Sequence, residues 1–219
     1  MENNTYTINM LKIYEECPQK FKLAFIDKIA IPETSQNAQT GTKLHALINY
    51  HLKGNDVTKM VTGLSKDEKL LWHNFINSPV MKMNYYNSEY EFQVKIDDYW
   101  LKGRIDAIFQ TKDGFVIADW KTGKISEENE RFQTMFYLYC MAEILKIKGL
   151  LKSYEELSLY YVMLHADTLL KIEFNEELYT KYKAKILNLA GKISSSSNYF
   201  CFKSEKCKQC RFFRFCPYI

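Results

Sequence analysis

The segment "FVIADWKTG" (115–123) runs apolar and then places Asp119 and Lys121 two residues apart before a Thr-Gly break. In an extended strand, residues two apart share a face, so Phe115, Ile117, Asp119 and Lys121 fall on one side. A buried apolar root would then carry a charged tip at the sheet edge. A carboxylate in that position suits a hard cation such as Mg²⁺ or Mn²⁺. An ammonium beside it can steady a phosphate oxygen or orient an attacking water. Taken alone, an Asp-x-Lys reads first as an ordinary surface ion pair at a strand end, worth little.

The neighbouring residues favour chemistry. "GRID" (103–106) puts Asp106 on the preceding strand, 13 residues before Asp119, with a hairpin turn between them. Two carboxylates brought together repel unless a cation sits between them. Downstream, "ERFQTMFYLYCMAEIL" is apolar nearly all round and reads as a buried helix. Gln133 and Tyr137 sit four apart on one face of it. A buried Gln needs partners. These are either a loop, in a purely structural role, or the carboxylates and a substrate backbone. His45, at the flank of an apolar helical stripe, is either a packing residue or a further ligand for a cation held by Asp106 and Asp119. Glu91 is a weaker candidate from the same region.

A second set of chemistry-bearing residues lies at the C-terminus. Of six cysteines, Cys201, Cys207, Cys210 and Cys216 fall in the last 19 residues, whereas Cys17 and Cys140 stand apart. The spacing C-x₂-C-x₅-C followed by Pro217 reads as metal ligands rather than disulfides. A four-coordinate site needs one more thiolate. Cys201, six residues upstream, would close a small zinc knuckle locally.

The elements that must position these residues form a mixed α and β pattern. Helices are expected over 8–26 (interrupted near Pro18), 38–53, 66–77, 130–147 and 176–194. Strands are expected over 88–96, 99–109, 115–122, 157–164 and 169–175, with turns at Asp97–Asp98 and "KDG" (112–114). The chain of 219 residues is 47% hydrophobic and 15% aromatic, enough for one domain with a real core. No apolar run approaches a membrane span and no secretory pattern opens the chain, so the expected setting is soluble and cytoplasmic. A net charge of +4 permits a nucleic-acid partner without demanding one. The many Tyr and Phe residues are largely core, but Trp120 and the aromatic tail can also stack on bases. No phosphate-binding Gly-rich loop of the G-x-x-x-x-G-K-[ST] kind is present, so no ATPase motor is expected.

The ordered set of His45, "GRID" (103–106), "DWK" (119–121) and "QTMFY" (133–137) resembles the PD-(D/E)XK nuclease superfamily. Within it, the set is similar to the RecB/AddB-like branch and to the CRISPR-associated exonucleases with an iron–sulfur cluster. The opening "LKIYEECPQKFKLAFIDKI" (11–29) and the cysteine tail share that resemblance; residues 54–87 do not. The resemblance implies an α/β fold with a restriction-endonuclease-like core, a mixed central sheet flanked by helices, and a C-terminal cysteine-rich region. All of it would be a single domain over 1–219. It implies that His45, Asp106, Asp119 and the Trp120 carbonyl hold Mg²⁺ or Mn²⁺. Lys121 would be the catalytic lysine, and Gln133 and Tyr137 an accessory pair. It implies a 4Fe–4S cluster on Cys17, Cys207, Cys210 and Cys216, tying the N-terminal helices (about 5–30) to the tail (about 199–219), with Zn²⁺ as the alternative. Cys201 and Cys140 would then be bystanders, Cys140 in the core. The implied activity is a Mg/Mn-dependent deoxyribonuclease, an exonuclease favouring single-stranded DNA or free ends. The setting would be repair, recombination or CRISPR and phage DNA processing, with a helicase or other DNA-processing protein as a further partner and no membrane. The rival reading is a nucleic-acid-binding or assembly subunit on an inactive nuclease fold.

Overall fold

The computed structural model describes residues 4–31, 36–123 and 127–219, with the side chains of all of these but 36–38 and 127–129. The elements in chain order are β1 (Thr5–Tyr6), α1 (Ile8–Glu16), α2 (Pro18–Phe21), a π-helical turn (Lys22–Ile26), α3 (Gln36–Leu52), α4 (Thr58–Thr62) and α5 (Lys66–Asn77). Then come β2 (Asn84–Ile96), β3 (Tyr99–Thr111), β4 (Gly114–Lys121), α6 (Glu127–Ile147), β5 (Leu157–Met163), β6 (Thr168–Glu173) and α7 (Glu176–Ser195). The six strands form one mixed sheet in the order β1-β3-β4-β5-β6, with β2 also paired to β3. The expected mixed sheet flanked by helices is present. No helix among the described residues is long and apolar enough to cross a membrane.

The chain divides into two compact units, 34–92 with 104–179, and 1–33 with 93–103 and 180–219. In the first of these, β3 and β4 are antiparallel with Ala107 opposite Ala118, and β4 and β5 run parallel with Asp119 opposite Tyr161. β4 is buried on both faces, as expected of a strand covered by helices on either side. On one face Val116, Ala118 and Trp120 pack with Ile48 of α3 and Phe75 of α5. On the other face α6 lies over the sheet, where Thr134 and Tyr161 share a hydroxyl hydrogen bond. The segment 54–87, which carries no motif, is a packing element: Val57 and Leu64 close over Leu44 and Leu47 of α3. A capping box starts α5, with the Ser65 N–H donating to Glu68 and the Glu68 N–H to Ser65 Oγ.

The β3–β4 hairpin depends on Gly114. Its φ is +128°, and a Cβ built there would lie 2.0 Å from the carbonyl oxygen of Glu156. Backbone cannot swing away as a flexible side chain would. Gly114→Ala is therefore expected to cost at least about 2 kcal/mol of folding free energy. Urea unfolding read as a shift in midpoint at constant slope checks this.

In the other unit, Thr7 caps α1 by accepting from the Met10 N–H at 3.3 Å. Pro18 occupies the first turn of α2, where its missing N–H costs nothing. The continuous helix expected beyond Pro18 is instead a short α-helix that widens into a π-turn, ending as Asp27 donates to the Lys22 carbonyl. The Gln19 N–H donates to the Phe200 carbonyl at 3.1 Å, fixing the tail to the start of α2. The α7 stretch from Thr180 buries Tyr182, Ile186, Leu189 and Ile193, and the Tyr14 hydroxyl of α1 bonds Ser196 at 2.7 Å.

Candidate active site

The antiparallel register brings Asp106 next to Asp119. One step beyond the Ala107–Ala118 pair these two face each other on the same side of the sheet. Asp106 Oδ2 accepts the Trp120 N–H at 3.0 Å, which locks its carboxylate to β4. His45 reaches in from α3, with Nε2 3.0 Å from the Trp120 carbonyl and Nδ1 3.4 Å from Asp106 Oδ1. Lys121 Nζ stands 3.0 Å from Asp119 Oδ2 and 3.0 Å from Glu130 Oε2 of α6. Its ammonium also lies 5.3 Å above the Tyr161 ring. Gln133 and Tyr137 of α6 line the same cavity of about 480 Å³ with His45, Asp106, Asp119, Trp120 and Lys121. These seven expected residues thus border one space, whereas Glu91, the weaker candidate, is exposed and does not line it.

The electrostatics follow from that crowding. Burial and the Asp106 charge push the Asp119 carboxyl up to about 7, against the pull of Lys121. For Asp106, burial works upward, but the hydrogen bond and charge of His45 and the Trp120 N–H outweigh it and hold its carboxyl down. The two carboxyls are therefore driven apart, Asp119 upward and Asp106 downward. Burial disfavours the His45 cation, yet Asp106, Asp119 and the Trp120 carbonyl together raise its pKa. Burial opposes the Lys121 charge too, but Asp119 and Glu130 more than compensate, so it stays an ammonium. Burial, with Asp119 and Asp106, raises the Tyr137 pKa, so its hydroxyl stays protonated and is a donor.

A divalent cation fits these residues. Asp119 is only 8% exposed, and its Oδ2 accepts no well-directed hydrogen bond despite the nearby Lys121 charge. Such an atom calls for a partner the protein does not supply. His45, Glu89 and Asp106 each offer one ligand atom, all within 4.8 Å of one another, and form the one such group of three among the described residues. Asp119 is outside that group and borders the same cavity.

Glu89 is the residue that sequence reading missed. From Phe92 to Ile96 the even-numbered residues of β2 are buried while Glu91, Gln93 and Lys95 are exposed, so alternation alone sends Glu89 outward too. Its φ of +47° breaks that alternation, and Arg104 Nε holds it at 2.8 Å. Glu130 was also missed, although it lies three residues before Gln133 and seven before Tyr137 on one helical face. Trp120 departs from expectation in another way. It is 2% exposed, with its ring 5.3 Å from that of Phe75, so it is core and unavailable to stack on a base.

The cysteines gather elsewhere. Cys17, Cys201, Cys207, Cys210 and Cys216 all line one cavity of about 340 Å³. Cys201, expected outside the ligand set, lies among them: its Sγ is 3.9 Å from that of Cys207, and burial with the neighbouring Cys17 and Cys207 thiols raises its pKa. No three cysteine sulfurs lie within 4.8 Å of one another among the described residues. Cys140 is fully buried in the core, as expected.

A model of the PD-(D/E)XK nuclease superfamily matches residues 5–217. Among solved structures, the protein SSO0001 is similar at 22% identity and a TM-score of 0.52, over 100% of this chain and 88% of that one. An exonuclease candidate from Eubacterium rectale is similar at 10% identity and a TM-score of 0.58, over 95% of this chain and 89% of that one. At these identities the two structures speak for the fold. No curated protein matches the chain.

Proposed function

The chain belongs to the PD-(D/E)XK nuclease superfamily, and on that footing we propose that it is a Mg²⁺- or Mn²⁺-dependent deoxyribonuclease that degrades single-stranded DNA from a free end. The observation that carries this reading is the convergence of Asp106, Asp119, Lys121 and His45 on one cavity at the end of the β3–β4 ladder. The name of the Eubacterium rectale protein agrees with an exonuclease.

His45, Glu89, Asp106, Asp119 and the Trp120 carbonyl would hold the metal. When bound, the cation supplies neutralisation of phosphate charge and a water acidified for attack. The chain's own residues do the rest. Lys121, kept charged by its carboxylate partners, donates to the oxygen on which charge develops. Glu130 acts through Lys121 as a positioning residue, holding its ammonium at 3.0 Å. Gln133 and the protonated Tyr137 hydroxyl donate to phosphate oxygens and set the scissile bond against the attacking water. Glu130→Gln is expected to lower kcat about tenfold with little change in KM, because the aim of Lys121 matters most in the transition state. Steady-state cleavage rates across a substrate series check this.

The same reading gives the cysteine cavity a 4Fe–4S cluster on Cys207, Cys210 and Cys216 with Cys17, structural in role and fixing the tail to the N-terminal helices. A single zinc at about 2.3 Å from each of four sulfurs would need them all about 3.8 Å apart. The Cys201–Cys207 pair, at 3.9 Å, has that spacing, but no three cysteine sulfurs among the described residues lie within 4.8 Å of one another.

Digestion of end-labelled and end-blocked DNA, single- and double-stranded, with Mg²⁺, Mn²⁺ or EDTA tests the substrate. A progressive ladder from unblocked single strands is expected. Cutting of closed circles at the same rate would make it an endonuclease. Binding without cutting under either metal would turn the reading to a binding subunit.

A further inference from the structure

We propose that the groove between α1 and α7 is a stacking site for consecutive bases of a single strand, sharing no residue with the cleavage cavity. The proposal rests on the nuclease reading for its ligand class. Its geometry stands alone. The groove has a volume of about 730 Å³ and is bordered by Tyr14, Asn188, Lys192, Phe200 and Phe202, with the Glu15–Lys185 ion pair at 2.7 Å on its wall. Phe200 and Phe202 are 56% and 57% exposed. Two large exposed rings bordering one groove are costly to leave in water and mark a contact site.

These rings are not on a loose tail. The Gln19 N–H holds the Phe200 carbonyl at 3.1 Å, Cys201 between the two residues borders the cysteine cavity, and Phe202 borders both that cavity and the groove. The pair is thus a prearranged platform, and binding to it loses little entropy. The charge around it selects the occupant. From Thr180 to Ser195, α7 carries Lys181, Lys183, Lys185 and Lys192 and no acid. Of these, Lys185 and Lys192 line the groove against Glu15 of α1, and the tail beyond Phe202 adds Lys203, Lys206, Lys208, Arg211 and Arg214 against Glu205. Ring faces beside a cationic surface suit a polyanion with its bases exposed. A duplex keeps its bases inside and offers nothing to the rings. A protein partner with an apolar helix gains nothing from the lysines.

The test is fluorescence anisotropy of a labelled oligothymidine with the full-length protein in EDTA, where no strand is cut. The Phe200→Leu/Phe202→Leu double variant keeps apolar bulk but loses both ring faces. It is expected to bind about tenfold or more weakly, from the alanine-scan range for stacking. Phe200→Trp/Phe202→Trp is expected to bind at least as tightly as wild type. Lys192→Gln is expected to weaken binding and flatten its salt dependence. Full affinity in the double Leu variant, or equal affinity of wild type for a duplex of the same length, overturns the proposal. If the double Leu variant melts at a lower temperature, the Trp pair decides: a loss of binding there, with the melting temperature kept, also overturns it. The nuclease reading fails separately, only if wild type with Mg²⁺ or Mn²⁺ leaves the strand intact.

Discussion

Asp119→Asn is expected to abolish cleavage, by about 10³-fold or more, while stabilising the metal-free protein. The substitution keeps shape and volume and removes one charge. Asp119 is buried beside a second carboxylate, and burial and Asp106 already push its carboxyl up to about 7. Its ionised form is therefore a cost that folding bears for the sake of a cation. Lys121 keeps Glu130 at 3.0 Å after the substitution, so its charge is not stranded. In EDTA the variant is expected to gain about 1 kcal/mol, the usual sign when a functional carboxylate is neutralised. With Mn²⁺ the order reverses, because only wild type gains stability from binding. Melting curves with and without metal check both halves. A variant less stable than wild type in EDTA would mean that Asp119 is chiefly a structural partner of Lys121.

Cys210→Ser is expected to bring bound iron and visible colour to background in anaerobically purified protein. The cavity that Cys210 lines is built from the start of α2 and the tail. Loss of the proposed cluster would remove a constraint on both, so the variant is also expected to melt at a lower temperature. Cys17→Ser and Cys201→Ser measured beside it identify the remaining ligand, since only the ligand's loss empties the site. Colourless wild type with stoichiometric zinc would replace the iron–sulfur reading with a zinc one.

How far the sequence shows these features depends on how local their cause is. Asp106, Asp119 and Lys121 are legible because strand alternation and a hairpin are short-range rules, and the observed register obeys them. His45 is legible only through its order among the motifs. Its place beside Trp120 is fixed by α3 crossing the sheet, a tertiary fact. Glu89 was hidden because a positive φ in a non-glycine residue reverses where a side chain points, and β-strand patterning assumes a regular backbone. Glu130 was visible in principle as part of the Gln133–Tyr137 face. The indole of Trp120 was misjudged because it alternates with Asp119 and Lys121 onto the opposite, fully packed face. The π-turn at Lys22–Ile26 leaves no mark on helical periodicity over so few residues. Cys201 was hard to place because spacing along the chain does not say which thiols share a cavity.

The central claim is that these carboxylates and Lys121 form a metal-dependent cleavage site. The most direct test is single-turnover cleavage of labelled single-stranded DNA by wild type and Lys121→Ala, each with Mn²⁺ and with EDTA. Cleavage by wild type with Mn²⁺ alone, reduced at least about 10²-fold in Lys121→Ala while DNA affinity is kept, is the predicted result. Cleavage that survives EDTA, or that proceeds equally in Lys121→Ala, would contradict it.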